Sequence, residues 1–120
     1  MGVIEEGARK SGVLWLSLDR QRLAWHVWHD GAIYLVTGGD EQDLPRLAEA
    51  ERVQVTLRSK DNGARLVVFD AAVEVVDQAA SPEAVAVLAK ERLNAPDAAG
   101  LPERWAAAST VVRLTPQEPA

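Results

Sequence analysis

Hydrophobic and polar residues alternate at period two over several stretches of this chain, and each stretch ends in a turn signal. Leu23 to His29 alternates, with Leu23, Trp25 and Val27 on one face and Ala24, His26 and Trp28 on the other. Asp30-Gly31 follows, the pair that a two-residue type I′ hairpin favours because both central residues need positive φ. The return strand is Ala32-Ile33-Tyr34-Leu35-Val36-Thr37. Arg52 to Arg58 alternates again, with Val53, Val55 and Leu57 inward and Gln54, Thr56 and Arg58 outward. In the next strand Val67, Phe69, Ala71, Val73 and Val75 face inward, which leaves Asp70 and Glu74 outward. This phase pairs Lys60 with Ala64 and leaves the loop Asp61-Asn62-Gly63, with Gly63 at the left-handed position of a bulged hairpin. Arg58 and Lys60 then share a face, while Arg65 points with Ser59 to the other.

The remaining segments fill in around these hairpins. Val13-Leu14-Trp15-Leu16 is short, apolar and rich in strand formers, which predicts a buried strand. After Gly38-Gly39-Asp40 breaks the fourth run, Asp43 caps a short helix with Pro45 in its first turn and Leu44, Leu47 and Ala48 on one side. That helix ends by about Glu51. Ser81-Pro82-Glu83 starts a longer helix to about Asn94, with Val85, Leu88 and Leu93 facing the core. Residues 101–107 read as a second short helix or turn, and Ser109 to Thr115 as a closing strand. The expected organisation is a leader at 1–11, a single domain at 12–116 and a polar tail at 117–120. Six short antiparallel strands favour a mainly β fold, a small barrel with short helices at its corners, because closure removes exposed edges.

Composition narrows the function more than the fold. The 120 residues carry 13 Lys+Arg against 18 Asp+Glu, a formal net charge of −5, which opposes a nucleic-acid role. The chain has no cysteine, which excludes disulfides, thiolate zinc sites and cysteine catalysis. The start lacks the pattern of a signal peptide, and no apolar run approaches a membrane span, so a cytoplasmic location is the default expectation. His26 and His29 lie an odd number of residues apart on a strand and fall on opposite faces, so they do not share a metal. Gly38-Gly39 lacks the spacing of a phosphate fingerprint, and Ser17, Ser59 and Ser109 sit in no nucleophile elbow. No residue reads as an obligatory acid or base.

Two features remain as candidate chemistry. Arg58, Lys60 and Arg65 form a positive spot around the Asp61-Asn62-Gly63 turn, either an ordinary solvated hairpin end or a bracket for a phosphate or carboxylate. Trp15, Trp25, Trp28 and Trp105 dominate the aromatic set. Trp25 belongs with the inward set, whereas Trp28 shares its face with Ala24 and His26. Trp28 is therefore either core filling or a ring at an interface or stacked on a planar ligand.

In order and wording, "AWHVWHDGAIYLVTG", a short helix, "RVQVTLRSKD", a turn and "RLVVFDAAVEVV" resemble the split-barrel family of pyridoxamine 5′-phosphate oxidase and its FMN- or deazaflavin-binding relatives. The phrases "GGDEQDLPRL", "RSKDNGARLV" and "KERLNAPD" resemble an actinobacterial group within it. The resemblance implies a homodimeric six-stranded split barrel with FMN or F420 at the subunit interface and hydride chemistry supplied by the cofactor. The family's phosphate loop, Thr-Gly-x-x-Ser-x-Lys, falls on Thr37, Gly38, Glu41 and Asp43. Thr37 and Gly38 match; Glu41 and Asp43 replace attraction with repulsion, about a kcal/mol or more against a phosphate at an effective dielectric near 20. A retained cofactor would then be re-anchored by Arg58, Lys60 or Arg65, with donors from Thr37 and Gly38 and stacking by Trp28. The alternative is a cofactor-free dimeric binding or structural protein on the same fold. A pocket for a cationic ligand lined by the acidic loop is a third option.

Overall fold

The computed structural model describes residues 13–18, 20–38, 44, 46–58, 66–91, 105–107 and 109–117. The expected leader at 1–11 lies outside them, as do Asp43, Pro45 and the turn from Ser59 to Arg65. Seven strands are present among the described residues: β1 (Val13–Ser17), β2 (Gln21–Trp25), β3 (Val27–His29), β4 (Ala32–Thr37), β5 (Arg52–Arg58), β6 (Leu66–Val75) and β7 (Thr110–Gln117). One α-helix, α1 (Pro82–Glu91), joins them, with 3-10 turns at Leu47–Glu49 and Gln78–Ala80 and a helical stretch at 105–107. None of the described helices is long and apolar enough to cross a membrane.

All pairings are antiparallel, in the order β2-β1-β5-β6-β7-β4-β3. The two edge strands, β2 and β3, are successive pieces of one run, interrupted only at His26. The chain itself therefore carries one edge of the curled sheet round to the other. If β2 and β3 count as one bent strand, the barrel has the six strands that the alternation predicts.

The first hairpin expectation holds in detail. Asp30 and Gly31 have φ of 50° and 79°, the mirror-image turn that joins β3 to β4. The β5–β6 register runs from Arg52↔Ala72 to Arg58↔Leu66. The expected pairing of Lys60 with Ala64 and the Asp61-Asn62-Gly63 loop lie outside the described residues. Ser81 accepts the first helical N–H of α1 through its carbonyl (Val85 N, 3.2 Å), Pro82 takes the first position, and Ala84, Val85 and Leu88 are buried.

Burial divides into two layers. The barrel interior packs Leu14, Leu16, Ile33, Leu35, Val55, Leu57, Phe69, Val112 and Leu114. A second layer, outside the barrel wall, packs Val27, Tyr34, Val36 and Val111 against Ala84, Val85, Leu88 and Trp105. Strand β4 serves both layers, which is why all six of its residues are buried.

Several expectations are corrected. Trp15 is 39% exposed because the strand's parity, not its overall hydrophobicity, aims Leu14 and Leu16 inward. The parity of the β2–β3 run is as expected, but the faces are reversed. Ala24 and Trp28 pack on the barrel interior, Trp25 packs on the outer layer, and Leu23 is 52% exposed. Val75 faces the interior side but lies at the end of β6, 53% exposed. The helix expected after Asp43 is reduced to one 3-10 turn, entered through Arg46 at φ 65°. Strand β7 continues through Pro116 to Gln117. Its pairing with β4 has ended at Leu114, so the N–H that proline lacks is not needed on that side.

Candidate functional site

The family phosphate loop begins where β4 ends. Thr37 is buried, and its Oγ1 accepts a hydrogen bond from the Leu44 N–H at 3.2 Å. This contact folds the end of the loop back onto the strand. Gly38 sits at φ 86°, a conformation that favours glycine, and its carbonyl accepts from Ser109 Oγ at 2.9 Å. The neighbouring pair across the ladder is Thr37↔Thr110. The Gln78 side-chain amide holds the start of β7 from the other side, donating through Nε2 to the carbonyls of Ser109 (3.0 Å) and Trp105 (3.2 Å). Small polar groups from β4, β7 and the 78–80 turn thus meet at one end of the barrel.

Leu44 brings a cation with it. Arg46, exposed and two residues further along, is within about 7 Å of Leu44 along the backbone. Sequence reasoning passed over Arg46 because it falls three positions beyond the family's lysine. Its left-handed backbone, uncommon for a residue with a side chain, is the only special feature it shows, and no pattern of residue types announces it. Ser109 and Gln78 were also missed, since their partners are 71 and 31 residues away in sequence.

Of the other expected anchors, Arg58 and Trp28 are among the described residues. Arg58 is opposite Leu66 on the ladder, whereas the row through Leu35, two residues before Thr37, runs by way of Val112 to Val75. Nine residues of β6, about 30 Å of extended strand, separate the two rows. Within one chain, Arg58 and Thr37 are therefore held far apart. Lys60 and Arg65 lie outside the described residues. Trp28 pairs with Ile33, on the interior face that it shares with Thr37 about 13 Å further along β4. Leu35 is buried on that face between them. Trp28 itself is half-buried against the interior cluster.

A phosphate-bearing cofactor needs cations and N–H donors. At the Thr37 end the described residues offer the Thr37 and Ser109 hydroxyls, and Arg46 follows Leu44 by two residues as a cation within backbone reach; to that extent the site fits such a group. A second polar cluster lies on the outer wall, where Arg113 Nε donates to Glu74 Oε1 at 3.0 Å and Nη2 contacts the same oxygen. The Glu74 carboxylate, and after it the Tyr34 hydroxyl, raise the Arg113 pKa above its usual value, so this guanidinium stays charged. It is a surface ion pair of the sheet, with both side chains well exposed to solvent.

No family model matches this chain, nor does any curated protein. Solved structures do match. A heme storage protein, HutZ, from Vibrio cholerae is 18% identical with a TM-score of 0.66, over 97% of this chain and 89% of that one. A putative pyridoxamine 5′-phosphate oxidase from Listeria innocua is 16% identical with a TM-score of 0.63, over 96% and 91%. A general stress FMN/FAD binding protein from Xanthomonas citri is 17% identical with a TM-score of 0.64, over 96% and 82%. The likeness extends to an F420 reductase, 14% identical with a TM-score of 0.63, over 95% and 93%. At these identities the matches speak for the fold. This chain has the split-barrel fold of the pyridoxamine 5′-phosphate oxidase type.

Proposed function

We propose that this protein binds a phosphate-bearing flavin or deazaflavin, FMN or F420, as an oxidoreductase of the split-barrel type. The observation that carries the reading is the fold itself, which it shares with an FMN/FAD binding protein and an F420 reductase over nearly its whole length. When bound, such a cofactor supplies the hydride chemistry, and the protein binds and orients it. Here the Thr37 end of the barrel supplies the phosphate cradle, with hydroxyls from Thr37 and Ser109 and the charge of Arg46. The Arg58, Lys60 and Arg65 turn is the competing anchor. A single phosphate does not engage both Arg58 and Thr37 of one subunit, so substitution separates the two.

The experiment is a titration of FMN and F420 followed by quenching of tryptophan fluorescence, with hemin as a third ligand because one neighbour stores heme. Saturable micromolar quenching by FMN or F420 that weakens at least tenfold in Arg46→Ala, but not in Arg58→Ala/Lys60→Ala, supports the Thr37 cradle. The reverse pattern moves the phosphate to the Asp61-Asn62-Gly63 turn. Absence of binding by both ligands leaves the second reading, a cofactor-free binding or structural protein on the same fold. That reading is favoured by the separation of Arg58 from Thr37 and by Glu41 and Asp43 at the family's loop positions.

A further inference from the structure

Ser109 is tied at each of its polar groups. Its N–H donates to the Trp105 carbonyl at 2.9 Å, its carbonyl accepts from Gln78 Nε2 at 3.0 Å, and its hydroxyl donates to the Gly38 carbonyl at 2.9 Å. Gln78 Nε2 also donates to the Trp105 carbonyl at 3.2 Å, so one side-chain amide closes the Trp105–Ser109 turn. Only one orientation of that amide is tolerable, because turning it over sets Oε1 against two carbonyl oxygens. Gln78 Oε1 is itself buried and has no hydrogen-bond partner among the described residues. The two Nε2 bonds therefore hold the polar end of the side chain.

Both ends of this clamp stand on fixed ground. The Val76 N–H donates to the Val111 carbonyl at 2.9 Å, and the Ala80 N–H donates to the Asp77 carbonyl at 3.1 Å. Asp77 Oδ1 accepts from the Ala79 N–H at 3.1 Å, which caps the turn that carries Gln78. Trp105 is fully buried in the layer that packs against α1. Gly38, in contrast, is exposed and leaves β4 at φ 86°. Among the described residues, its carbonyl is held by the Ser109 hydroxyl.

We propose that Gln78 is a positioning residue of the Thr37 cradle. Gln78 fixes Ser109, and Ser109 fixes the Gly38 carbonyl. A peptide unit is planar, so holding its carbonyl also holds its N–H, the kind of donor that a phosphate takes at a turn. The inference rests on the cradle reading of the Thr37 end and adds to it a residue two hydrogen bonds removed from the ligand. Replacing Gln78 then weakens phosphate binding without removing any group that touches phosphate.

Inorganic phosphate is the probe, and the backbone NMR resonances of Thr37 and Gly38 in the full chain are the readout. Without phosphate, Ser109→Ala is expected to move the Gly38 carbonyl carbon upfield, since that carbonyl loses its donor. Gln78→Met should move it in the same direction, and the double variant no further than Ser109→Ala alone. With phosphate, the Thr37 and Gly38 amide resonances should shift saturably in the wild type, with the affinity about threefold or more lower in Gln78→Met. Gln78→Glu supplies a rescue within one variant: its protonated carboxyl donates and its carboxylate does not. Lowering the pH should therefore return the Gly38 carbonyl carbon toward its wild-type position. Val85→Ala, which loosens the same layer without touching the clamp, should leave both readouts unchanged. Far-UV circular dichroism checks that each variant keeps its sheet. Phosphate binding of this kind without quenching by FMN or F420 sinks the flavin reading and supports this one. A Gly38 carbonyl carbon unmoved in Gln78→Met, wild-type Thr37 and Gly38 amides that ignore phosphate, or equal affinity in wild type and Gln78→Met overturns the inference.

Discussion

At Gly31, one residue decides whether a hairpin closes. Its φ of 79° lies in the left-handed region, and a Cβ added there would meet nothing within 4 Å. Any cost of Gly31→Ala is therefore backbone strain alone. We expect a loss of about 1 kcal/mol in urea denaturation, with an unchanged slope. Thr37 makes a different kind of contribution. Its Oγ1 accepts from the Leu44 N–H, and both residues are buried. Thr37→Val keeps the shape but leaves that N–H without its side-chain acceptor, which should cost about 1–3 kcal/mol. Thr37→Ser keeps the oxygen and should cost clearly less; equal losses in the two variants would mean that packing, not the hydrogen bond, holds the loop. The type I′ turn was legible from Asp30-Gly31 because the constraint is local. Thr37 was legible only as a family position. Its structural partner lies seven residues on, in a segment whose sequence suggests a helix.

Elements were legible where periodicity and caps agreed. Ser81-Pro82-Glu83 gave the start of α1 to the residue, and the inward phases of β5 and of β6 as far as Val73 followed from alternation. Misreadings came where an element faces two environments. The alternation of the β2–β3 run leaves both of its faces partly apolar, since one lines the barrel and the other meets α1, and periodicity cannot say which is which. Likewise Trp15 in β1 sits among leucines, yet points to the outer wall. Cross-strand chemistry belongs at this scale too. Glu74, Arg113 and Tyr34 stand in one row across β6, β7 and β4. With both charged side chains well exposed, a double-mutant cycle with Glu74→Ala and Arg113→Ala should give a coupling of about 0.2–1 kcal/mol, reduced by salt. The raised Arg113 pKa adds stability that is fully present below the ordinary arginine value. It is lost only above the folded pKa, beyond the range in which the protein would be assayed, so titration of Arg113 brings no pH dependence near neutrality.

For the molecule as a whole, the decisive feature is where β7 goes. It inserts between β6 and β4, so the last strand in sequence is an interior strand of the sheet. Local patterns did not reveal this, because hairpin signals specify only neighbours in sequence, and β1–β5, β6–β7 and β4–β7 are all non-local pairings. The consequence is measurable. Strand β4 is buried on both faces and paired on both sides, and Val111, Val112 and Leu114 of β7 are fully buried in the two layers. Opening either strand requires disrupting the interior and the α1 layer together, so its amides should exchange only through global unfolding. Among the described residues strand β2 is paired only with β1, and Leu23 and Gln21 are exposed, so its amides should open through local fluctuations at lower free energy. Native-state hydrogen exchange with increasing urea should merge β4 and β7 into one strongly urea-dependent isotherm, with β2 starting lower and flatter. If β7 instead exchanged with the weak urea dependence of β2, the barrel would be held by its hairpins, and the closing strand would be an appendage.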